Sequence, residues 1–204
     1  MLKPHEIYAE SFRMIEAEVE AHDFDAVEWP VVRRIIHATG DLELVHAVSF
    51  QCDAARVGVA ALREGVPIVT DVRMVAAGIN AKTSQALGVE VHCYIDAPDI
   101  ARRAEAEGRT RSYCAMQQAV AEVGEAIYVV GNAPTALFAL CEQVQQGRVA
   151  PRLIVAMPVG FVSVVESKAE ALTLDVPVIT INGRKGGSPV SAATITALLL
   201  MAHA

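Results

Sequence analysis

Short apolar segments recur along the chain from residue 44 onward, and segments of helical pattern separate them. Within each apolar segment the residues are mostly apolar throughout, instead of alternating with polar ones. Segments of this kind are typical of parallel strands that helices cover on both faces of a sheet. We predict strands at residues 44–50, 67–70, 89–95, 126–130, 153–157 and 178–181. The predicted fold class is therefore α/β, a three-layer α/β/α architecture with a mainly parallel, doubly wound sheet that is flavodoxin-like in outline.

Helices are predicted between these strands from apolar spacing and from residues that start or stop a helix. They cover residues 52–64 and 74–79, begin near residues 98 and 112, and cover residues 132–147, 164–172 and 189–204. Two extra helices precede the sheet, at residues 4–22 and 31–39. Neither a linker nor an internal repeat divides the chain, so residues 1–204 are predicted to form a single domain.

Composition limits the partners that the chain can have. Its 204 residues are 53% hydrophobic, enough for a sizeable core, and its net charge of −7 disfavours a general nucleic-acid-binding surface. No apolar run reaches the ~18 residues that span a bilayer. The first residues, 1–6, carry charges where a signal peptide would have its apolar segment. The four cysteines form no C-x-x-C pair, which favours a reducing compartment and argues against a zinc site. We expect a cytoplasmic protein with no membrane or nucleic-acid partner.

The helix predicted at residues 31–39 carries a histidine on its polar face. Its apolar stripe consists of Val31, Val32, Ile35 and Ile36. His37 falls roughly opposite that stripe, and Arg33 and Arg34 precede it by four and three positions. Such a face is either simply solvated or holds a group for proton transfer. The loops after the predicted strands favour proton transfer, because several of them are suited to hold an anion near His37. On the first helix, Ser11 faces inward, where it can bond to its own helix or to a ligand.

Ligands of doubly wound sheets bind beyond the carboxyl ends of the strands. The loop after the last predicted strand is the strongest anion signal, because its glycines let backbone N–H groups converge and its last residue can cap the following helix. This loop contains Arg184, Lys185, Gly186, Gly187 and Ser188. An ordinary glycine-rich turn is the alternative. Other candidates at this edge are Thr70, Asp71, Arg73, Arg111 and Asn132, the last of which can cap a helix.

Motifs for nucleotides, catalytic serines and metals are absent from the sequence. It contains no G-x-x-x-x-G-K-[ST], G-x-G-x-x-G, G-x-S-x-G or H-E-x-x-H segment, and the other histidines lack metal-ligand spacing. Arginines gathered at one edge of an acidic protein suit a polyanionic small molecule, and His37 is available for proton transfer. The residue pattern alone does not name that molecule.

Five segments, in order and together, resemble the precorrin-8X methylmutase family of cobalamin biosynthesis. They are RIIHATGD at 34–41, VTD at 69–71, GNAPTAL at 131–137, PVGFV at 158–162 with ESK at 166–168, and GRKGGSPV at 183–190. Two residues depart from the family pattern: Arg73 stands where Asn is common, and Asn182 stands where Arg is common. Both lie in loops that we expect to touch the ligand.

The resemblance implies an isomerase that moves one methyl group between adjacent carbons of the C ring of a polycarboxylate tetrapyrrole. The product would be hydrogenobyrinic acid, or cobyrinic acid where cobalt is already present. The resemblance also implies a homodimer with active sites shared between subunits, and no cofactor. His37 matches the family's catalytic histidine, and Ser11 and Arg111 match ligand-contacting positions. The arginines would then bind the acetate and propionate groups of the substrate.

Two other functions stay open from the sequence. One is a non-catalytic tetrapyrrole carrier that holds the product for the next enzyme. The other is a different small-anion enzyme on the same fold. The sequence also leaves open whether the substrate carries cobalt.

Overall fold

The computed structural model describes residues 4–19 and 21–204, and within them six strands form one sheet. The strands are β1 (Val48–Gln51), β2 (Ile68–Thr70), β3 (Val91–Cys93), β4 (Ile127–Val130), β5 (Leu153–Ala156) and β6 (Val178–Ile181). Their order across the sheet is β1-β6-β5-β4-β2-β3. Strands β2 to β6 are parallel, and β1 pairs antiparallel with β6 at one edge.

The parallel strands confirm the predicted fold class. With β1 set aside, β2 lies between β3 and β4, and β5 and β6 follow on the β4 side. This is the order 2-1-3-4-5 of flavodoxin-like sheets. The chain reverses its direction of winding between β2 and β4, so a crevice for a ligand is expected at the carboxyl ends of these strands.

Helices cover both faces of the sheet. They are α1 (Pro4–Glu18), α2 (Glu28–Thr39), α3 (Ala54–Arg63), α4 (Arg73–Gly78), α5 (Ala81–Ala86), α6 (Ile100–Glu107), α7 (Arg111–Val123), α8 (Pro134–Gln145), α9 (Val164–Ala171) and α10 (Ser188–His203), with a 3₁₀ helix at Leu42–His46. In the part of the chain that the structure describes, no helix has both the length and the apolar character needed to cross a membrane.

The central strands divide their side chains between two cores. Ile127 and Val129 of β4 pack with α2, α3 and α10, whereas Tyr128 and Val130 pack on the opposite face with α7 and α8. Consecutive strand residues point to opposite faces, so a strand that is apolar throughout needs helices on both sides. The same arrangement places the N-terminus of α10 at the carboxyl edge of the sheet, directly after β6.

Some predicted boundaries are wrong, and in two cases local capping overrides the apolar pattern. The strand predicted at residues 44–50 begins as a 3₁₀ helix, since the Asp41 carboxylate accepts a hydrogen bond from the Glu43 N–H. Helix α5 is absent from the prediction, and the Asn80 side chain caps it by accepting from the Thr83 N–H. Helix α1 ends at Glu18 instead of residue 22.

Candidate functional site

The end of α2 and the β6–α10 loop meet at the carboxyl edge of the sheet. Helix α2 closes at Gly40, as predicted, with φ of 67° and its N–H donating to the Ile36 carbonyl. The Lys185 ammonium donates to Asp41 Oδ2 at 2.6 Å and to Glu43 Oε2 at 3.2 Å. These carboxylates largely balance the charge of Lys185, so this lysine ties two loops together before any ligand arrives.

His37 lies in the last turn of α2 and faces α1. Its ring centroid is 5.4 Å from that of Tyr8 and 5.4 Å from that of Phe12, the latter in an edge-on arrangement. An open cleft of about 290 Å³ between the two helices is lined by His37, Ser11, Met14 and Leu42 among others. The structure therefore brings together His37 and Ser11, which the sequence places 26 residues apart.

Ser11 satisfies its own hydroxyl group within α1. Its Oγ donates to the Ile7 carbonyl at 2.8 Å, the backbone interaction that the sequence offers as the alternative to a ligand contact. The oxygen retains lone pairs that can accept from a ligand. Ser11 remains a candidate ligand-contacting residue because it lines the cleft, although its hydroxyl group already has a hydrogen-bond acceptor.

Arg33 and Arg34 have different surroundings although they are adjacent in sequence. The Arg33 guanidinium pairs with Glu16 and lies 4.3 Å from the Phe12 ring centroid. Its Nε is buried and has no hydrogen-bond partner among the described residues. Arg33 thus fastens α2 to α1.

Arg34 faces a second cleft, of about 600 Å³, on the other side of Tyr8. Residues of α1, α2, α10 and the link between α4 and α5 line it, including Asn80 and Thr196. Burial lowers the pKa of the Arg34 guanidinium. No carboxylate pairs with Arg34 in the described part of the chain, and its interactions are with the Tyr8 and Phe12 rings at 5.9 Å. A half-buried guanidinium without a counter-ion is suited to an anionic ligand.

Asp71 organises the crevice between β2 and β4. Only 3% of it is exposed, and its carboxylate accepts from the N–H groups of Gly131 at 3.0 Å, Asn132 at 2.8 Å and Ala133 at 2.9 Å. Burial raises the pKa of Asp71, and the three hydrogen bonds oppose that increase. Asp71 therefore caps the N-terminus of α8 from another strand, and the predicted Asn132 side-chain cap is wrong.

Thr70 has a similar supporting position. Its hydroxyl donates to the His92 carbonyl at 3.2 Å, which ties β2 to β3. The side chain of Asn132, in contrast, is exposed at the edge. Of these residues, Asn132 is the one whose side chain a ligand can reach without a change of structure.

Glycines in the β6–α10 loop permit close packing against the β5 loop. A Cβ atom on Gly186 would lie 2.5 Å from the Met157 oxygen and 2.6 Å from the Pro158 oxygen. The Gly187 N–H donates to the Met157 carbonyl at 2.9 Å, so it is already engaged. Helix α10 begins at Ser188 without a side-chain cap, and the predicted Ser188 cap is therefore wrong.

The remaining candidate arginines lie at separate places along the same edge, one in a loop and two at the first residues of α4 and α7. Arg184 is exposed, with its guanidinium 5.4 Å from the centroid of the Phe161 ring. Arg73 is exposed and pairs with Asp96 at 2.9 Å. Arg111 is exposed at the first turn of α7, beside a hydrogen bond of 2.8 Å that joins Thr110 to the start of α8.

Lys168 belongs to the ESK segment at 166–168, but the sequence pattern alone predicts no role for it. It lies on α9, is 2% exposed, and its ammonium donates to one carbonyl group at the end of β6 and to two in the β6–α10 loop. Burial lowers its pKa to about 8.

Tyr8 and Phe12, which contact His37, are also absent from the prediction. Their spacing of four residues on α1, on either side of Ser11, is the signal that could have identified them.

The described residues contain no group of three or more histidine, cysteine, aspartate or glutamate side chains placed to hold a metal ion. Besides the Glu18 carboxylate in the His37 cleft, the polar side chains that line the two clefts are a histidine, a guanidinium, hydroxyls and an amide. Such groups can bind carboxylates and move a proton.

Comparisons with known proteins agree on one family. A family model described as precorrin-8X methylmutase (CbiC) matches residues 6–201. The cobalt-precorrin-8 methylmutase of Priestia megaterium is 39% identical over 201 residues, which cover 98% of this chain and 89% of that protein. The precorrin-8X methylmutase of Pseudomonas aeruginosa is 38% identical over 195 residues, covering 94% of this chain and 93% of that protein. The crystal structure of precorrin-8X methylmutase from Thermus thermophilus has a TM-score of 0.89 and 40% identity, with 96% of each chain covered.

Proposed function

The chain belongs to the precorrin-8X methylmutase family, and from this membership we propose its reaction and the residues that perform it. It is an isomerase of cobalamin biosynthesis. The reaction moves a methyl group between adjacent carbons of the C ring of precorrin-8X and gives hydrogenobyrinic acid; the cobalt form of the substrate would give cobyrinic acid. The family match over residues 6–201 carries this conclusion.

His37 acts as a general acid in the proposed mechanism. A suprafacial 1,5-sigmatropic methyl shift breaks one carbon–carbon bond while the new one forms, so it needs no nucleophile and no redox partner. It does need the macrocycle in the correct tautomer, which depends on where a proton is placed. Histidine suits that role because its unperturbed pKa of about 6.5 lets it hold or release a proton near neutrality. The Tyr8 and Phe12 rings support this role, because their contacts restrict the orientation of the imidazole.

The cations around the clefts bind the acetate and propionate groups of the substrate. Arg34 has the strongest support, since it is half-buried and no described carboxylate balances it. Arg184, in the β6–α10 loop, and Arg111, at the start of α7, are exposed and can reach outward to further carboxylates. The complete proposed substrate-binding set is Ser11, Arg33, Arg34, Thr70, Asp71, Arg73, Arg111, Asn132, Arg184, Lys185, Gly186, Gly187 and Ser188.

Within this set the contacts divide direct binding from support. Asp71 and Thr70 are buried and bonded to backbone groups, so they shape the loops. Arg33 and Lys185 are paired with carboxylates and hold α1, α2 and the β6–α10 loop together. Gly186 and Gly187 let that loop pack closely on the β5 loop.

The working protein is proposed to be a cytoplasmic homodimer, each chain a single domain, with active sites shared between subunits. Helix α1 supports the dimer, because Ile7, Tyr8 and Met14 are each about half exposed on it beside the His37 cleft. A partner subunit could cover these side chains and close the open side of the cleft. The clefts as seen in one chain would then be parts of a larger pocket.

Incubation with precorrin-8X tests the function. The protein at one-hundredth of the substrate concentration should convert all of the substrate, seen as the absorbance change from precorrin-8X to hydrogenobyrinic acid. A carrier would give a change of at most one equivalent per chain, and another small-anion enzyme would give none. A parallel incubation with the cobalt form shows which substrate is turned over faster.

A further inference from the structure

A buried lysine on α9 lies behind the β6–α10 loop and outside both clefts. Lys168 and Asp71 are the two charged side chains that are buried in the described part of the chain, and both lie at the carboxyl edge. Burying an ammonium group is costly unless its N–H groups find acceptors. Such a residue in a loop-supporting position needs an explanation beyond packing.

All three N–H groups of the Lys168 ammonium have an acceptor. They donate to the carbonyl oxygens of Ile181 at 2.7 Å, Gly183 at 2.9 Å and Lys185 at 2.7 Å. These acceptors belong to alternate residues, so the chain leaving β6 wraps around a single positive charge. The residues between them, Asn182 and Arg184, are exposed.

The ammonium fixes a part of the loop that has few other restraints. At one end, the Asn182 N–H donates to the Ala47 carbonyl at 2.8 Å, and at the other the Gly187 N–H donates to Met157. Between these points, the other contacts are the ion pairs of Lys185, the approach of Arg184 to Phe161, and a long hydrogen bond of 3.4 Å from the Gly160 N–H to the Arg184 carbonyl. Without the ammonium, three carbonyl groups would lose their donor and the backbone that carries Arg184 would have to rearrange.

We propose that Lys168 is a positioning residue that holds residues 181–185 so that the Arg184 guanidinium meets the carboxylates of the tetrapyrrole. The proposal rests on the proposed function only for the identity of the ligand. Lys168 does not touch the substrate, and it acts through the backbone on either side of Arg184.

A double-mutant cycle tests the proposal. Lys168→Met keeps an unbranched apolar stem and removes the ammonium donors, Arg184→Ala removes the guanidinium, and Lys82→Met is the control because Lys82 is exposed on α5. Affinity for hydrogenobyrinic acid should fall about tenfold or more in each of the first two variants and stay unchanged in the control. The double variant should bind no more than about twofold more weakly than the weaker single variant, because both changes remove the same contact.

Losses that multiply in the double variant would overturn the proposal, as would wild-type affinity in a folded Lys168→Met protein. Lys168→Gln, which keeps two N–H donors, should lose less affinity than Lys168→Met. Failure of both variants to fold would also contradict the proposal, because Lys168 would then support the whole core instead of one loop.

Hydrogen exchange separates this proposal from the proposed function. In Lys168→Met, amide exchange should increase in the peptide covering residues 181–187 and remain unchanged in α7 and α8, with or without a ligand. If the wild-type protein neither binds nor isomerises the tetrapyrrole, the proposed function is wrong. Amide exchange in residues 181–187 would still test whether Lys168 holds the loop. Unchanged exchange in residues 181–187 would refute the role of Lys168 whatever the ligand.

Discussion

Two buried charges of opposite sign, Asp71 and Lys168, organise the loops where the substrate is expected to bind. Asp71 accepts hydrogen bonds from three N–H groups of the β4–α8 turn, and Lys168 donates to three carbonyl groups at the end of β6 and in the β6–α10 loop. Each charge is stabilised by backbone dipoles instead of by an opposite charge. Single residues therefore set the shape of loops that are separate in the sequence.

Replacing Asp71 by Asn should destabilise the protein by about 1.5–3 kcal/mol. The amide side chain keeps one oxygen but directs an NH₂ group toward N–H donors, so at least one hydrogen bond to a buried group is lost. Urea unfolding measures the free energy of unfolding. Asp96→Asn is the matched control, because Asp96 lies on the surface and should change stability little. Equal stability of the two variants would show that Asp71 does not hold the turn.

Removing the charge of Arg184 should weaken binding without affecting the fold. A loop arginine contributes little to core packing, and one charge-assisted contact to a carboxylate is worth roughly a tenfold to hundredfold change in affinity. Titration of Arg184→Ala with hydrogenobyrinic acid measures this loss. Arg102→Ala removes an exposed guanidinium from α6 and should leave affinity unchanged. Wild-type affinity in Arg184→Ala would remove Arg184 from the site.

At the scale of elements, the reliable predictions are those that depend on local apolar pattern. Strand β6 has the predicted bounds, Val178–Ile181, because four apolar or β-branched residues are buried on both faces. The capping predictions at Asn132 and Ser188 are wrong, because Asp71 supplies the acceptor at the start of α8 and α10 begins without a side-chain cap. A sequence identifies residues able to cap, but tertiary structure decides which one is used.

The same limit applies to the site. The histidine, the glycine-rich loop and the arginines can be selected from the sequence, because their residue types and their positions after strands are local features. The ion pair of Arg33 with Glu16 joins residues 17 apart, and that of Lys185 with Asp41 joins residues 144 apart. Charge compensation over such distances depends on how α1, α2 and the β6–α10 loop pack, which local patterns do not contain.

The β6–α10 loop should tolerate a side chain at one glycine and not at another. Gly186→Ala would place a methyl group 2.5 Å from a backbone oxygen, so the β5 and β6 loops must separate at a cost of about 3 kcal/mol. Gly183→Ala is the matched control in the same loop: its φ of 79° gives strain of about 1 kcal/mol, but nothing lies within 4 Å of the new atom. Thermal unfolding compares the two. A smaller loss in Gly186→Ala than in Gly183→Ala would contradict this packing.

The whole molecule combines a flavodoxin-like sheet with two helices that precede it. Helices α1 and α2 form the His37 cleft outside the repeating pattern of strands and helices, and the side of α1 next to that cleft stays partly exposed. Phe161 and Val162, at the same edge of the sheet, are 83% and 82% exposed. Apolar exposure at these places is consistent with a site that a second subunit completes.

Sedimentation tests the dimer. At assay concentration the protein should sediment as a dimer, and its specific activity should fall on dilution below the dimer dissociation constant. Both results follow if each subunit supplies part of the other's pocket. A monomer with full specific activity would eliminate the shared site.

The central claim is that His37 supplies a proton to a bound tetrapyrrole, and single-turnover kinetics of His37→Ala tests it most directly. Enzyme in excess over precorrin-8X is followed by absorbance, and affinity for hydrogenobyrinic acid is measured on the same protein. Since the arginines remain in place, affinity should change little while the rate falls on the order of 10²–10⁴-fold. His203→Ala, which removes an exposed histidine at the end of α10, should keep both properties. Isomerisation at the wild-type rate by His37→Ala would show that this histidine has no part in the chemistry.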